Sequence, residues 1–151
     1  MVATTIVLDA GPLGLATNPR MSIQSTECLR WIQTSLSSGH RVIVPEIADY
    51  EVRRELLRAE RNAGVARLNA LTQELDYLPI TTVAMRLAAQ LWARTRQQGK
   101  PTADDRALDG DVILAAQPLT SRYPDAVIAT TNVGHLSLFV QAALWTDLGS
   151  N

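Results

Sequence analysis

Two runs in this chain, Thr4-Thr5-Ile6-Val7-Leu8 and Asp125-Ala126-Val127-Ile128-Ala129, are short, β-branched and apolar, and each stops on oxygen-bearing side chains: Asp9 after the first, Thr130-Thr131-Asn132 after the second. Such runs read as buried strands, and a strand with no polar face needs cover on both sides. Arg41 to Val44 is a third run of this kind, stopped by Pro45. These strands limit the chain to folds in which helices shield a sheet from above and below.

Helical patterns fill the intervals. Cys28, Leu29, Ile32 and Leu36 give Ser25 to Ser37 an apolar stripe that ends at Ser38-Gly39. Glu46 to about Arg61 is amphipathic, with Ile47, Tyr50, Leu56 and Leu57 inward and Arg53, Arg54, Arg58 and Arg61 at polar positions. Ala66 to Leu75 reads as another helix. Val83 to Gln97 is a long one, with Leu87, Leu91 and Trp92 inward and Gln98-Gly99-Lys100-Pro101 as its terminator.

Gly11-Pro12 reads as a turn after the first strand, Tyr77 to Ile80 as a short strand or extended link, and Thr102 to Leu108 as a polar loop. A helix follows from Asp109 or Asp111 to about Leu119, and Ala142 to Trp145 reads as an edge strand. Strands alternating with helices imply an α/β fold with a mostly parallel sheet covered on both faces. At 151 residues, one domain spanning 1–151 accounts for the whole chain.

Composition narrows the function. With 46% hydrophobic and 19% charged residues and a net charge of −1, the chain is neither disordered nor broadly basic, so any contact with nucleic acid is local or metal-assisted. Of 14 basic residues all but Lys100 are arginine, which suits phosphate forks, although a codon bias gives the same count. The single cysteine, Cys28, forms no internal disulfide and reads as core. No apolar run reaches the length of a membrane span, and Met1 to Leu8 lacks the charged start of a signal peptide, so a cytoplasmic protein without membrane partners is expected.

Acids attached to apolar segments are costly unless a cation neutralises them. Asp9 stands at a strand end, Glu51 follows Ile47 by four residues on an amphipathic helix, and Asp111 directly precedes Val112-Ile113-Leu114-Ala115-Ala116. In open α/β sheets these positions converge on the C-terminal edge of the strands, where ligands bind. Hard oxygen donors with only two histidines suit Mg²⁺ or Mn²⁺, as one ion or two, and such ions activate water against phosphodiesters.

Structural readings compete. Asp9 can cap the next helix, Glu51 can be a solvated helix position, and Asp109 can be either a cap or an acid supporting Asp111. Asp104 and Asp105 fit a solvated loop or a cap led by Thr102. Thr130, Thr131 and Asn132 offer hydroxyl and amide oxygens to a metal, water or phosphate, or else form a plain turn, and Arg53 is a candidate substrate contact. His40 and His135 have no partner at metal-binding spacing and read as surface or turn residues. Trp31, Trp92 and Trp145 read as core or interface anchors.

In the order Ile6-Val7-Leu8-Asp9, Pro45-Glu46-Ile47-Ala48-Asp49-Tyr50-Glu51, Asp111-Val112-Ile113-Leu114-Ala115-Ala116 and Ala129-Thr130-Thr131-Asn132, nearly the whole chain resembles the PIN-domain family, and in particular its VapC-like ribonuclease toxins. The resemblance implies a three-layer α/β/α sandwich and a Mg²⁺- or Mn²⁺-dependent endonuclease for single-stranded RNA. It also implies a homodimer and, for toxins of type II toxin–antitoxin pairs, a small antitoxin that blocks the site. Carried over by position, the catalytic set falls on Asp9, Glu51, Asp111 and Asn132. The first three are the metal ligands this implies; the residues themselves add Asp109 as a further candidate ligand and Thr130, Thr131 and Arg53 as candidate substrate contacts. Many relatives have aspartate where Asn132 stands, so one negative charge is missing for a second ion.

Two other functions are compatible with parts of the pattern. A PIN-like module that binds RNA or protein with little activity would explain Asn132 and the near-neutral charge. A phosphoacceptor receiver also carries acids at strand ends, but it wants a paired acid at the first strand and a late lysine in the site, whereas Asp9 stands alone and Lys100 is in a loop.

Overall fold

A computed structural model describes residues 3–99 and 105–149. The elements run β1 (Thr5–Leu8), α1 (Ala10–Thr17), α2 (Ile23–Ser37), β2 (Arg41–Pro45), α3 (Glu46–Arg58), α4 (Asn62–Glu74), β3 (Asp76–Leu78), α5 (Thr82–Gln97), α6 (Asp105–Leu119), β4 (Val127–Thr130) and β5 (Ala142–Leu144). All strand pairs are parallel, in the order β3-β2-β1-β4-β5. The chain builds outward from β1 to β2 and β3, then crosses back to lay β4 and β5 on the other side. The gap between the ends of β1 and β4 is therefore the topological switch point, where such sheets bind ligands.

Alternate residues of each strand face opposite helical layers. Ile6, Leu8, Val42, Val44, Val127 and Ala129 pack with Leu13, Cys28, Ile32 and Leu68 on one side, whereas Val7, Ile43 and Ile128 pack with Ile47, Leu114 and Leu136 on the other. The three-layer α/β/α sandwich expected from the resemblance is the fold observed. Cys28 is core as read: burial pushes its thiol up to about 12, and its Sγ lies 3.3 Å from the Pro12 carbonyl oxygen. No helix among the described residues is long and apolar enough to cross a membrane.

Local readings change: Tyr50, Leu57 and Leu36, assigned to apolar faces, are exposed. Gly11-Pro12 is not a turn but part of the first turn of α1, where proline is tolerated because its missing N–H has no helical acceptor there. Gly11 is required for a different reason: a Cβ at this position would lie 2.5 Å from Thr131 Oγ1. The polar segment before Asp109 is already helical from Asp105, because Leu108 is fully buried against α5 and anchors that turn. Asp111 thus sits in the second turn of α6, beyond the reach of a stabilising helix N-terminus.

Inside the α5–α6 layer Leu91 is only 8% exposed. It is therefore a core residue, as its inward spacing indicates, and Trp92 beside it is half-buried. Trp31 and Trp145 pack in a tilted arrangement with ring centroids 5.7 Å apart, and the Trp31 indole donates to the Leu148 carbonyl, so both are anchors of the fold.

One buried amide ties α6 to the ends of β2 and β3. Gln117 of α6 accepts from the Ile47 amide at 3.1 Å and donates to the Leu78 carbonyl at 2.7 Å. It thereby fixes the start of α3 and the end of β3 relative to α6.

Candidate active site

Asp9 is the last residue before α1 and caps it: its Oδ1 accepts from the Ala10 amide at 2.7 Å. The cap uses one oxygen only. Oδ2 accepts from Thr130 Oγ1 at 2.7 Å, so the ends of β1 and β4 hold the carboxylate from two directions. The Thr130 hydroxyl oxygen in turn accepts from the Asn132 amide at 3.1 Å, which folds the chain after β4 back over the strand end.

Glu51 reaches the same point from α3. Its pKa is raised chiefly by burial and then by the nearby charge of Asp9, with a smaller push from Asp111, while Arg54 opposes the shift. α6 can approach Glu51 because Gly110 has no side chain; a Cβ there would lie 2.9 Å from Glu51 Oε1. Asp111, one residue further along α6, is pushed up to about 6, first by burial and then by Asp9, against the opposing influence of His135.

These side chains line one cleft of about 480 Å³ together with Thr130, Thr131, Asn132, Arg54 and His135. Three acids from three separate crossovers therefore meet in a half-buried space, where burial and the charge of Asp9 oppose the ionisation of Glu51 and Asp111. A divalent cation would relieve that opposition, and the oxygen donors have the hardness for Mg²⁺ or Mn²⁺. As placed, no three His, Cys, Asp or Glu side chains among the described residues gather around one point. The fit is therefore to an ion that takes one or two carboxylates directly and keeps waters toward the rest, as Mg²⁺ does.

Not every residue singled out in the sequence belongs to the cleft. Arg53 pairs with Asp49 at 2.9 Å and with Asn69 Oδ1 at 2.8 Å, so it braces α3 against α4. Arg54 is the cleft arginine. Residues three apart share a helix face and residues two apart do not, so the spacing from Glu51 carried the signal. Asp109 is exposed, is not a cap because α6 begins at Asp105, and does not line the cleft.

Thr130 is only 1% exposed and its hydroxyl is committed to Asp9, so it positions that acid and does not face substrate. Thr131 and Asn132 are exposed on the cleft wall. His135 was readable as a turn residue, and it does precede a short 3₁₀ turn. Its place opposite Asp111 depends on the loop after β4, which no spacing rule reveals. Asp104 lies outside the described residues.

Neither protein-family models nor curated proteins match this sequence. Solved structures do match its fold. A chain of VapBC2 from Rickettsia felis, crystallised with a DNA fragment from its promoter, aligns over 94% of this chain and 99% of its own with a TM-score of 0.70 at 12% identity. A chain of VapBC-1 from nontypeable Haemophilus influenzae aligns over 95% and 99% with a TM-score of 0.64 at 18% identity. A chain of FitAcB from Neisseria gonorrhoeae aligns over 95% and 99% with a TM-score of 0.60 at 19% identity. The shared property at these identities is the PIN-like architecture.

Proposed function

We propose that this chain is a metal-dependent endoribonuclease that cleaves single-stranded RNA, acting in the cytoplasm as the toxin of a toxin–antitoxin pair. The observation that carries the reading is the convergence of Asp9, Glu51 and Asp111 at the switch point of a PIN-like sheet, with Glu51 and Asp111 reluctant to ionise. The fold's likeness to chains of VapBC and FitAcB complexes supports an antitoxin as partner; a homodimer belongs to the same reading.

Asp9, Glu51 and Asp111 are the residues that would hold Mg²⁺ or Mn²⁺. Bound there, the ion would acidify a water for attack on phosphorus and offset charge on the phosphodiester. The chain's own groups prepare that cleft. Thr130 and the Ala10 amide fix both oxygens of Asp9, so the acid loses no orientation when substrate enters. Asp111 holds a proton on its carboxyl group below about pH 6 and releases it above, so the cleft gains its full anionic character only near neutrality. Thr131 and Asn132 offer a hydroxyl and an amide to a phosphate or water, and the Arg54 guanidinium and the His135 imidazole line the same cleft.

RNA cleavage with Mg²⁺ or Mn²⁺ by wild type, Asp9→Asn and Glu51→Gln tests the assignment. Both variants are expected to lose at least 100-fold in rate, and equal cleavage by all three proteins rejects the site. Asn132 favours one alternative, a PIN-like binding module with little activity, because it removes one anionic ligand from the cleft. Titration calorimetry with Mn²⁺ separates the two readings: absence of uptake at millimolar metal supports the module.

A further inference from the structure

A second groove, of about 580 Å³, runs between α1 and α3 and opens into the acidic cleft, with Ala10, Glu51 and Arg54 forming part of both walls. Its lining carries Arg20, Arg54, Arg58 and Arg61, all exposed, against only Glu51 and Glu55. A chain of net charge −1 thus places four guanidiniums together beside its most acidic point. We propose that this groove is a track for the backbone phosphates of the single-stranded RNA on one side of the scissile bond, with Arg20, Arg54, Arg58 and Arg61 as positioning residues. The proposal rests on the ribonuclease reading and specifies how that cleft gets its substrate.

The acidic cleft repels a polyanion, so a strand that enters it must be held by positive charge close by. Guanidiniums suit this task because their planar forks match phosphate oxygens. The pair between Arg58 and Glu55, at 2.9 Å, is exposed on both sides and exchanges readily for a phosphate. Arg54 is pre-oriented at the junction of groove and cleft, its guanidinium 5.1 Å from the Tyr50 ring centroid. Tyr50 is itself 56% exposed, and a base freed from pairing can stack beside such an aromatic–arginine pair. Tyr50 lies just outside the groove's lining, where Arg54 links it to the junction, and only an unpaired strand in the groove could reach it with a base.

The test is equilibrium binding of a fluorescein-labelled, single-stranded RNA of about 20 nucleotides, enough to span groove and cleft, measured in EDTA so that neither metal nor cleavage enters. Replacing Arg20, Arg58 and Arg61 together with glutamine is expected to weaken binding at least 10-fold and to flatten the slope of log K against log salt by about 2, the share of three phosphate contacts. A matched triple, Arg86→Gln, Arg94→Gln and Arg122→Gln, lies outside the groove and is expected to stay within twofold of wild type. Thermal melts confirm that both triples fold. In cleavage assays the groove triple should raise KM by more than it lowers kcat.

Unchanged affinity and slope in the groove triple, or an equal loss in the matched triple, overturns the proposal. So does a glutamate-rich peptide that binds the groove in a protein to which RNA does not bind. Loss of RNA binding in the groove triple, with no cleavage by any protein, upholds the track and rejects the nuclease reading. Cleavage that requires Asp9 but is indifferent to the groove triple rejects the track and leaves the nuclease reading in place.

Discussion

Replacing Asp111 with asparagine should stabilise the metal-free protein at the pH where the wild type would work. The carboxyl group titrates near 6 in the folded chain against an ordinary value of 3.8, with burial as the main cause. Ionising it in the native state at pH 8 therefore costs about 3 kcal/mol at 1.36 kcal/mol per pH unit. Asp111 is only half-buried, and solvent screening cuts that figure to about 1.5 kcal/mol. The sign follows from linkage. A group whose pKa is higher folded than unfolded contributes stability that is complete below about pH 4 and is lost as pH rises through about 6. Asparagine is neutral throughout, so the variant should match wild type at pH 4 and exceed it at pH 8 by about 1.5 kcal/mol, or about 3–6 °C in Tm for a chain of this size. Urea unfolding in EDTA between pH 4 and pH 8 reads the difference directly. Added Mn²⁺ should then close the gap by stabilising only the wild type. An asparagine variant that is no more stable than wild type at pH 8, or more stable by the same amount at both ends of the range, would refute the electrostatic account of the cleft.

Three further substitutions separate geometry from stability. Gly110→Ala places a methyl group against the movable end of Glu51, so Tm should hold or rise with the better helix former while RNA cleavage drops by about 100-fold; normal cleavage would show that Glu51 need not sit against α6. Thr130→Val keeps the buried volume but frees one oxygen of Asp9, and a 10- to 100-fold loss in Mn²⁺ affinity is expected by calorimetry, whereas unaltered affinity would make the hydroxyl merely structural. Gln117→Leu leaves the Ile47 amide and the Leu78 carbonyl without their buried partner and should cost about 2–3 kcal/mol in urea unfolding, a loss under 0.5 kcal/mol arguing that water replaces the side chain.

The strands and the three acids were legible for the same reason. β1, β2 and β4 are apolar on both faces, and Asp9, Glu51 and Asp111 stand out because each sits on a segment that must be buried. α1 was hidden because Gly11 and Pro12 are turn residues by habit, and only the contact with Thr131 explains why a helix needs glycine there. The early start of α6 was hidden because Leu108 is a single apolar residue in a polar stretch, too little for a periodicity. Arg53 and Arg54 are identical in chemistry, and only the rotation of α3 relative to Glu51 tells them apart. Asp109 and Asp111 differ in the same way on α6. Spacing along a helix could have separated these pairs, whereas the contacts of Gly11, Leu108 and His135 join segments distant along the chain, which local patterns do not encode.

The hydroxyl that holds Asp9 comes from a residue 121 positions later in the chain. As the polypeptide leaves the ribosome, Asp9 emerges early, Glu51 next and Asp111 much later, and the clamp from Thr130 arrives only when β4 has docked against β1. Contacts this distant in sequence form late, because the intervening chain must be ordered before they repay its entropy. An unfinished or broken copy consequently lacks an assembled cleft. The site's geometry is therefore closed only after β4 has been made and has docked on β1, so the order of the strands puts the clamp on Asp9 last among its parts.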